Sequence, residues 1–533
     1  MRKEYHPARY GAPLCGALLL AGFGGLPNPQ AIAAPPPRLT DPLYADYDSE
    51  LREVAARADG LKHVDSPALI QKLLDGNIKT YAFLVWHQTT DWNDFRLEFL
   101  PAAQAAGLSV WLYLTPPSEG TPAPFGDDFI TWASEAGKLA TQYPVLTGLA
   151  IDDFGAANLS FFTPDYIRQV VEAAHAWNTN LMFLPVVYDA SAAPQLPTVL
   201  ISPAFANAYG PYCGAVIFPY INTTNKDDLT AEAPQIAYNS DVMNGSLAQF
   251  VVVFPWNRSS QKGNYAALSQ VLTTNSPGFP DAPYSFKFRV YDDYTGATAN
   301  YHKLQLLVDG SIVWQQDVAG SMGIQDITNN LQTWIRGKTS ATLVVRMYDT
   351  NAVSNFGVTA SWSLPAGNWT RSETGAFIGT SSYYPATPGL NVPLIVMIYD
   401  LGYNGWSPTT NYVRQANLIA RSAVAAGRAS GIIQYCLDKS GTSQQFPIIQ
   451  QLYGQWAYQP QFLSLQLNGN AVVRGSGGGP SIGYTLKAAD DPNVPFSSWT
   501  VVATGAFATN GCFTNTDANA SGHGGRFYRT SVP

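Results

Sequence analysis

Short apolar runs, each about the length of a β-strand, recur along this chain with helical stretches between them. They are TYAFLVWH (80–87), SVWLYLTPP (109–117), GLAIDDF (148–154), LMFLPVVYD (181–189), GAVIFPYI (214–221), PLIVMIYD (393–400) and GIIQYCLD (431–438). Residues 92–106, 127–142, 164–177 and 411–427 carry apolar positions at the three- and four-residue spacing of amphipathic helices. Strands that are apolar throughout are covered on both faces, and strands that alternate with helices build a parallel sheet. Seven such units in a row predict a barrel. The run QFVVVFPWN (249–257) either supplies an eighth strand or opens the next domain. We favour the second reading, which leaves one barrel strand unassigned.

From about 258 to 380 the helical period gives way to alternating strands, and Asp309-Gly310 between two of them is a hairpin signal. Because βα units resume at 393, this stretch reads as an antiparallel sandwich inserted into the barrel. After WAYQPQ the pattern changes again, to short strands with Gly-rich turns. The expected fold is therefore α/β: a (β/α)8-type TIM barrel, complete or one strand short, with an inserted antiparallel β-sandwich and a small C-terminal all-β domain. The expected boundaries are 1–34 for a leader, 39–255 and 385–457 for the barrel, 258–380 for the sandwich and 460–533 for the last module.

Composition narrows the partners. Only 13% of residues are charged, the net charge is −8, and basic residues cluster only at the extreme N-terminus, so nucleic acid and anionic membranes are disfavoured. Tyr (29), Phe (25) and Trp (13) are plentiful instead, as in exported proteins that meet uncharged ligands. Sugars are the expected ligand class, since an aromatic ring covers the C–H face of a pyranose while Asp, Asn and Gln meet its hydroxyls.

The N-terminus orders Arg2, Lys3 and Arg9, then APLCGALLLAGFGGL, then AIAA before prolines. That is a secretory leader, with cleavage after Ala33 or Ala34. Its apolar part is too short to span a bilayer, and no later run is long enough, so a secreted, periplasmic or extracellular soluble protein is expected. Cys213, Cys436 and Cys512 remain in the mature chain without CxxC spacing, which argues against a disulfide framework and a zinc site. A single Cys213–Cys436 bridge stays open.

In a barrel of this kind chemistry sits at the C-terminal strand ends. Those positions hold Trp86 and His87, Tyr113 with Glu119 beyond it, Asp152 and Asp153, Tyr188 and Asp189, Tyr220, Tyr399 and Asp400, and Gln434, Tyr435 and Asp438. Strand alternation puts small Ala150 on the crowded inner face and Leu149 and Ile151 on the helix side, which aims Asp152 at the barrel mouth. Asp153 follows where the strand has ended. Adjacent carboxyls cannot both ionise easily, and an acid beside a base is what glycoside hydrolysis needs. Asp152, Asp153 and Glu119 are the candidate catalytic residues, and the others are candidate sugar contacts. His87 is the only histidine at a strand end and no paired-His spacing occurs, so neither a metal nor a cofactor is expected, a carboxylate-held Ca²⁺ staying open. In the sandwich, Tyr291, Tyr294, Trp314 and Trp334 with Asp292 and Asp293 are a candidate carbohydrate face.

Two resemblances extend this reading. The IDDF pair (151–154) resembles the Asp-Asp pair of O-GlcNAcase-like, hexosaminidase-type enzymes that use substrate assistance. That resemblance implies that Asp152 orients a 2-acetamido group and that Asp153 is the acid/base. The YTLKAADD, WTVVATG, FTNTDA and RFYRT segments near the C-terminus resemble fibronectin-like modules of secreted bacterial proteins, which implies export or surface display. The expected function is a secreted glycoside hydrolase acting on a polysaccharide or glycan. The alternatives are a non-catalytic carbohydrate-binding or surface-display protein and, behind it, a polysaccharide lyase. Nothing in the chain bears on oligomeric state.

Overall fold

The computed structural model describes residues 36–531 except 41–42, 121, 156–157, 189–200, 221–224, 256–258, 276, 297, 321–322, 355, 375–376, 378, 403–404, 458–460, 469, 477–482, 492–493, 495–497, 509–511 and 524. The expected leader and Asp189 lie outside the described residues.

Eight parallel strands form the barrel: β1 (Leu43–Tyr47), β2 (Thr80–Val85), β3 (Ser109–Leu114), β4 (Leu146–Ile151), β5 (Met182–Pro185), β6 (Val216–Pro219), β7 (Leu394–Tyr399) and β8 (Gly431–Tyr435). Their hydrogen-bonded order is β5-β4-β3-β2-β1-β8-β7-β6. Parallel bridges Phe183–Cys213 and Val186–Ile217 join β5 to β6 and close the ring. The barrel is complete, and its unassigned strand is β1. Residues 249–254 of the QFVVVFPWN run lie in the strand Leu247–Phe254, which pairs antiparallel with Val358–Pro365 and Thr380–Tyr384 in the sandwich.

Along each barrel strand the side chains alternate between two cores. Leu43, Ala45, Tyr47, Ala82, Leu84, Trp111, Tyr113, Ala150, Leu184, Ile217, Met397 and Ile433 fill the interior. Tyr44, Tyr81, Phe83, Leu112, Leu149, Ile151 and Ile398 face the helices. Small residues inside make room for the large ones. At Gly148 a Cβ would sit 2.6 Å from the Trp111 ring, so that layer needs glycine. The helices Phe129–Gln142, Pro164–His175 and Thr410–Ala425 begin where Asp128, Thr163 and Thr409 accept a backbone N–H from the first turn.

The sandwich consists of two five-stranded antiparallel sheets around its own core. It docks on the barrel through Tyr238, whose hydroxyl lies 2.8 Å from Ser363 Oγ and whose ring lies 4.0 Å from the Arg289 guanidinium. Of its candidate aromatic face, Tyr291 and Tyr294 are buried, Tyr294 stacks on Phe356 and Trp314 packs edge-on against Phe288, while Trp334 stands exposed. Two three-stranded sheets around Tyr484, Leu486, Phe507 and Phe513 make up the C-terminal part. Cys213 and Cys436 are buried free thiols in different cores, so the open disulfide is not made. Among the described residues no helix is long and apolar enough to cross a membrane.

Candidate active site

Strand register sets the floor of the mouth. Tyr47, Tyr435 and Tyr399 are direct neighbours across β1, β8 and β7, all on the inner face. Ring centroids are 5.5 Å apart for Tyr47–Tyr435, 4.6 Å for Tyr399–Tyr435 and 4.0 Å for Tyr47–Tyr113. Tyr188, after β5, completes the basket. Burial and the nearby Asp152 charge hold the Tyr113 and Tyr188 phenols well above their ordinary range; for Tyr47, burial comes first, then Tyr113 and Asp152. These hydroxyls therefore serve as neutral donors.

Asp152 rises from β4 into this basket. It shares the inner face with Gly148 and Ala150, and only 6% of it is exposed. Its Oδ1 accepts the Asp153 N–H at 2.7 Å and its Oδ2 faces the Tyr47 hydroxyl at 3.5 Å. Burial, reinforced by the Asp153 charge and opposed by these hydrogen bonds, pushes its carboxyl up to about 7. Asp153 has φ +38°, a left-handed conformation that a residue with a Cβ adopts at a cost. The turn is what brings its N–H back onto Asp152. Asp153 is half-buried, and partial burial raises its pKa as well.

Glu119 stands at the rim, in the short helix Pro117–Glu119 after β3. The cleft wall, then the charges of Asp152 and Asp153, push its carboxyl up to about 8. The two loops are tied together by Asn158. Its buried amide donates to Ser118 Oγ at 2.9 Å and to Asp153 O at 2.9 Å, so one side chain spaces Glu119 from the aspartate pair. Trp86 stands 36% exposed, in phase with inward Ala82 and Leu84. Three mutually repelling carboxyls, five tyrosines and an open indole can bind a neutral polyhydroxylated ligand and keep a proton ready at neutral pH.

Other expected contacts lie elsewhere. Gln434 and Asp400 fall on the helix-facing phase of their strands. Gln434 is fully buried and bonds Asn417 and the Tyr453 hydroxyl. Asp400 is buried, with both carboxylate oxygens unpaired, close to Asp46 and Lys439. Tyr220 points outward too, and its hydroxyl donates to Asp228 O at 2.9 Å. Asp438 caps a turn, accepting from Ser440 N at 2.8 Å and Thr442 Oγ1 at 3.2 Å. His87 does not face the mouth; Nε2 lies 2.8 Å from Asp48 Oδ1. Tyr47 is the site residue that sequence reading missed. It follows from β1: once LYADY is a strand, its phase places Leu43, Ala45 and Tyr47 inside.

No protein-family model matches this chain, and no curated protein matches it. Among solved structures, it is similar to a GH30 endoxylanase from Clostridium papyrosolvens C71, at 8% identity over 94% of this chain and 98% of that one, with a TM-score of 0.32. An endo-glycoceramidase II from Rhodococcus sp. matches at 10% identity over 62% of this chain and 100% of that one, with a TM-score of 0.25. A D-psicose 3-epimerase from Clostridium cellulolyticum H10 matches at 11% identity over 38% and 70% of the two chains, also with a TM-score of 0.25. Likenesses at this level say nothing about the chemistry of this chain.

Proposed function

We propose that this protein is a glycoside hydrolase that cleaves a polysaccharide or glycan in the cleft over Asp152, Asp153 and Glu119. The observation that carries the reading is the gathering of three carboxyls, each with its pKa raised, at the ends of the adjacent strands β3 and β4 above a basket of tyrosines. Glu119, protonated at neutral pH and open to solvent, is suited to protonate the departing glycosidic oxygen. Asp153, half-buried, is suited to act as the nucleophile or the base. Asp152 lies deepest, and its hydrogen bonds to Asp153 N–H and Tyr47 hold it as the residue that orients the sugar and tunes the other two. Under the substrate-assisted variant suggested by the IDDF pair, Asp152 positions an acetamido oxygen and Asp153 carries the proton. Export as a secreted protein belongs to the same proposal, resting on the leader-like N-terminus.

The test is a panel of neutral polysaccharides and N-acetylated glycans assayed for new reducing ends. Asp153→Asn and Glu119→Gln are each expected to lower turnover of these substrates by about 10²–10⁴-fold with little change in melting temperature. Full activity in both variants rejects the assignment. Gel retardation by a polysaccharide without products would instead identify a binder, and unsaturated products absorbing in the ultraviolet a lyase.

A further inference from the structure

The loops after β1 and β2 gather a second group of ionisable side chains, outside the cleft. Asp48 directly follows β1 and is buried, and Glu50 lies two residues on with its side chain only 2% exposed. His87 follows β2 and points outward between them. Its Nε2 lies 2.8 Å from Asp48 Oδ1 and 3.8 Å from Glu50 Oε2. One ligand atom from each of the three side chains lies within 4.8 Å of the others. The second oxygen of Asp48 is already engaged, accepting from the buried Cys436 thiol at 3.4 Å. That contact leaves Oδ1 turned toward the histidine.

Folding alone would not choose this arrangement. The Asp48 and Glu50 carboxyls face each other out of water, and Glu50 Oε1 is buried with no hydrogen-bond partner. Buried polar atoms almost always have a partner, so a buried carboxyl with one oxygen orphaned and the other, Oε2, set among ligand atoms marks a place where a cation belongs. A second cluster of the same residue types makes the contrast. His63, Asp94 and Glu98 are equally close, but His63 bonds Asp94 at 2.6 Å and Asp59 at 2.9 Å. Asp94 also accepts the Val64 N–H at 3.0 Å, and Glu98 is bound by Arg57. That set is closed by its own partners.

We propose that Asp48, Glu50 and His87 form a binding site for a first-row divalent cation, Zn²⁺ or Mn²⁺, held by one oxygen of each carboxylate and by Nε2. The charges balance: two carboxylates and one divalent ion sum to zero, the imidazole binds as a neutral base, and its Nε2 proton and the proton held between the two carboxyls pass to solvent. Two oxygens and one imidazole nitrogen suit these ions, whereas Ca²⁺ asks for six or more oxygens and Cu(I) for thiolates. The His87 side chain is 28% exposed, which gives the ion a way in and leaves room for water to complete its shell. Bound there, the ion ties the end of β1 to the end of β2, one residue from Trp86 at the mouth. The site is independent of the hydrolase reading, since none of its three ligands belongs to the cleft.

The experiment uses the full chain, treated with chelator and then dialysed free of it. ZnCl₂ and MnCl₂ are titrated separately by calorimetry, and metal retained after gel filtration is counted by atomic absorption. One ion per chain is expected, with a rise in melting temperature. Loss of one ligand should weaken binding by at least about 100-fold, since even partners behind the ligands cost 10–100-fold. His87→Ala and Glu50→Gln should both show that loss, while His63→Ala binds as wild type does. Glu50→Gln keeps the shape of the side chain, and far-ultraviolet circular dichroism confirms that it folds. No retained ion in the wild type, equal retention in both ligand variants, or loss only in His63→Ala overturns the proposal.

Discussion

At the scale of single residues the cleft is governed by what burial does to carboxyls. Asp152 has an ordinary pKa of 3.8, and the fold raises it to about 7. The folded state therefore holds an extra proton between those values, so burying Asp152 carries no ionisation penalty below about pH 4, and stability falls as pH rises toward 7. Asp152→Asn removes that titration. Relative to wild type it should gain about 2–4 kcal/mol between pH 4 and pH 8, read by denaturant unfolding at both. An equal difference at both pH values would contradict the raised pKa. Activity should respond through Glu119, which keeps its proton up to about 8. We expect kcat/KM to fall above that pH. The basic limb should vanish in Glu119→Gln, which retains turnover of aryl glycosides whose leaving group needs no proton. A basic limb that survives this substitution would move the acid's role to another carboxyl.

At the scale of elements, loops decide the spacing of groups that strands merely deliver. Strand β4 delivers Asp152 by phase alone, and alternation from Ala150 makes that legible in the sequence. The separation of Glu119 from Asp153 depends on Asn158, whose place in an Asn-Leu-Ser triplet gives no hint of that role. Asn158→Ala should cost about 1–3 kcal/mol of stability, the usual loss for buried hydrogen bonds. It should also lower kcat/KM and shift the basic limb to lower pH, as Glu119 drifts away from the aspartates. A stability loss with an unmoved pH profile would leave Asn158 a purely structural residue. The outward placement of Gln434, Asp400 and Tyr220 has the same cause as the inward placement of Asp152. Neighbouring residues at a strand end point to opposite faces, so a run such as Tyr399-Asp400 contributes one side chain to the mouth and one to the helices.

At the scale of the whole molecule a buried ion pair locks the first barrel strand to the end of the last. Lys439 Nζ lies 2.6 Å from Asp46 Oδ2 and also donates to Asp48 O at 2.9 Å and Leu437 O at 2.8 Å, with both side chains fully buried. It joins the first barrel strand to the loop after the last. Lys439→Met should destabilise by about 3–5 kcal/mol, because Asp46 is then left buried and unpaired. The double variant Asp46→Asn/Lys439→Met should recover much of the loss, and recovery of none would mean the lysine acts through its backbone contacts alone. This pair also explains why β1 does not stand out as a strand in the sequence. LYADY places an aspartate on a helix-facing position, and only a lysine 393 residues away makes that tolerable. Conversely, the valine-rich run at 249–257 has the composition of a buried strand, but its true neighbours are antiparallel partners in the sandwich. What the chain determined by itself was local: the apolar strand runs, the helical periods between them, the change to two-residue alternation, and the inward phase of Asp152. Tertiary structure alone decided which strand completed the barrel, which carboxyls met, and which tyrosines formed the floor. Those outcomes depend on charge pairing, register and loop ties between residues far apart in sequence, and no local pattern encodes them.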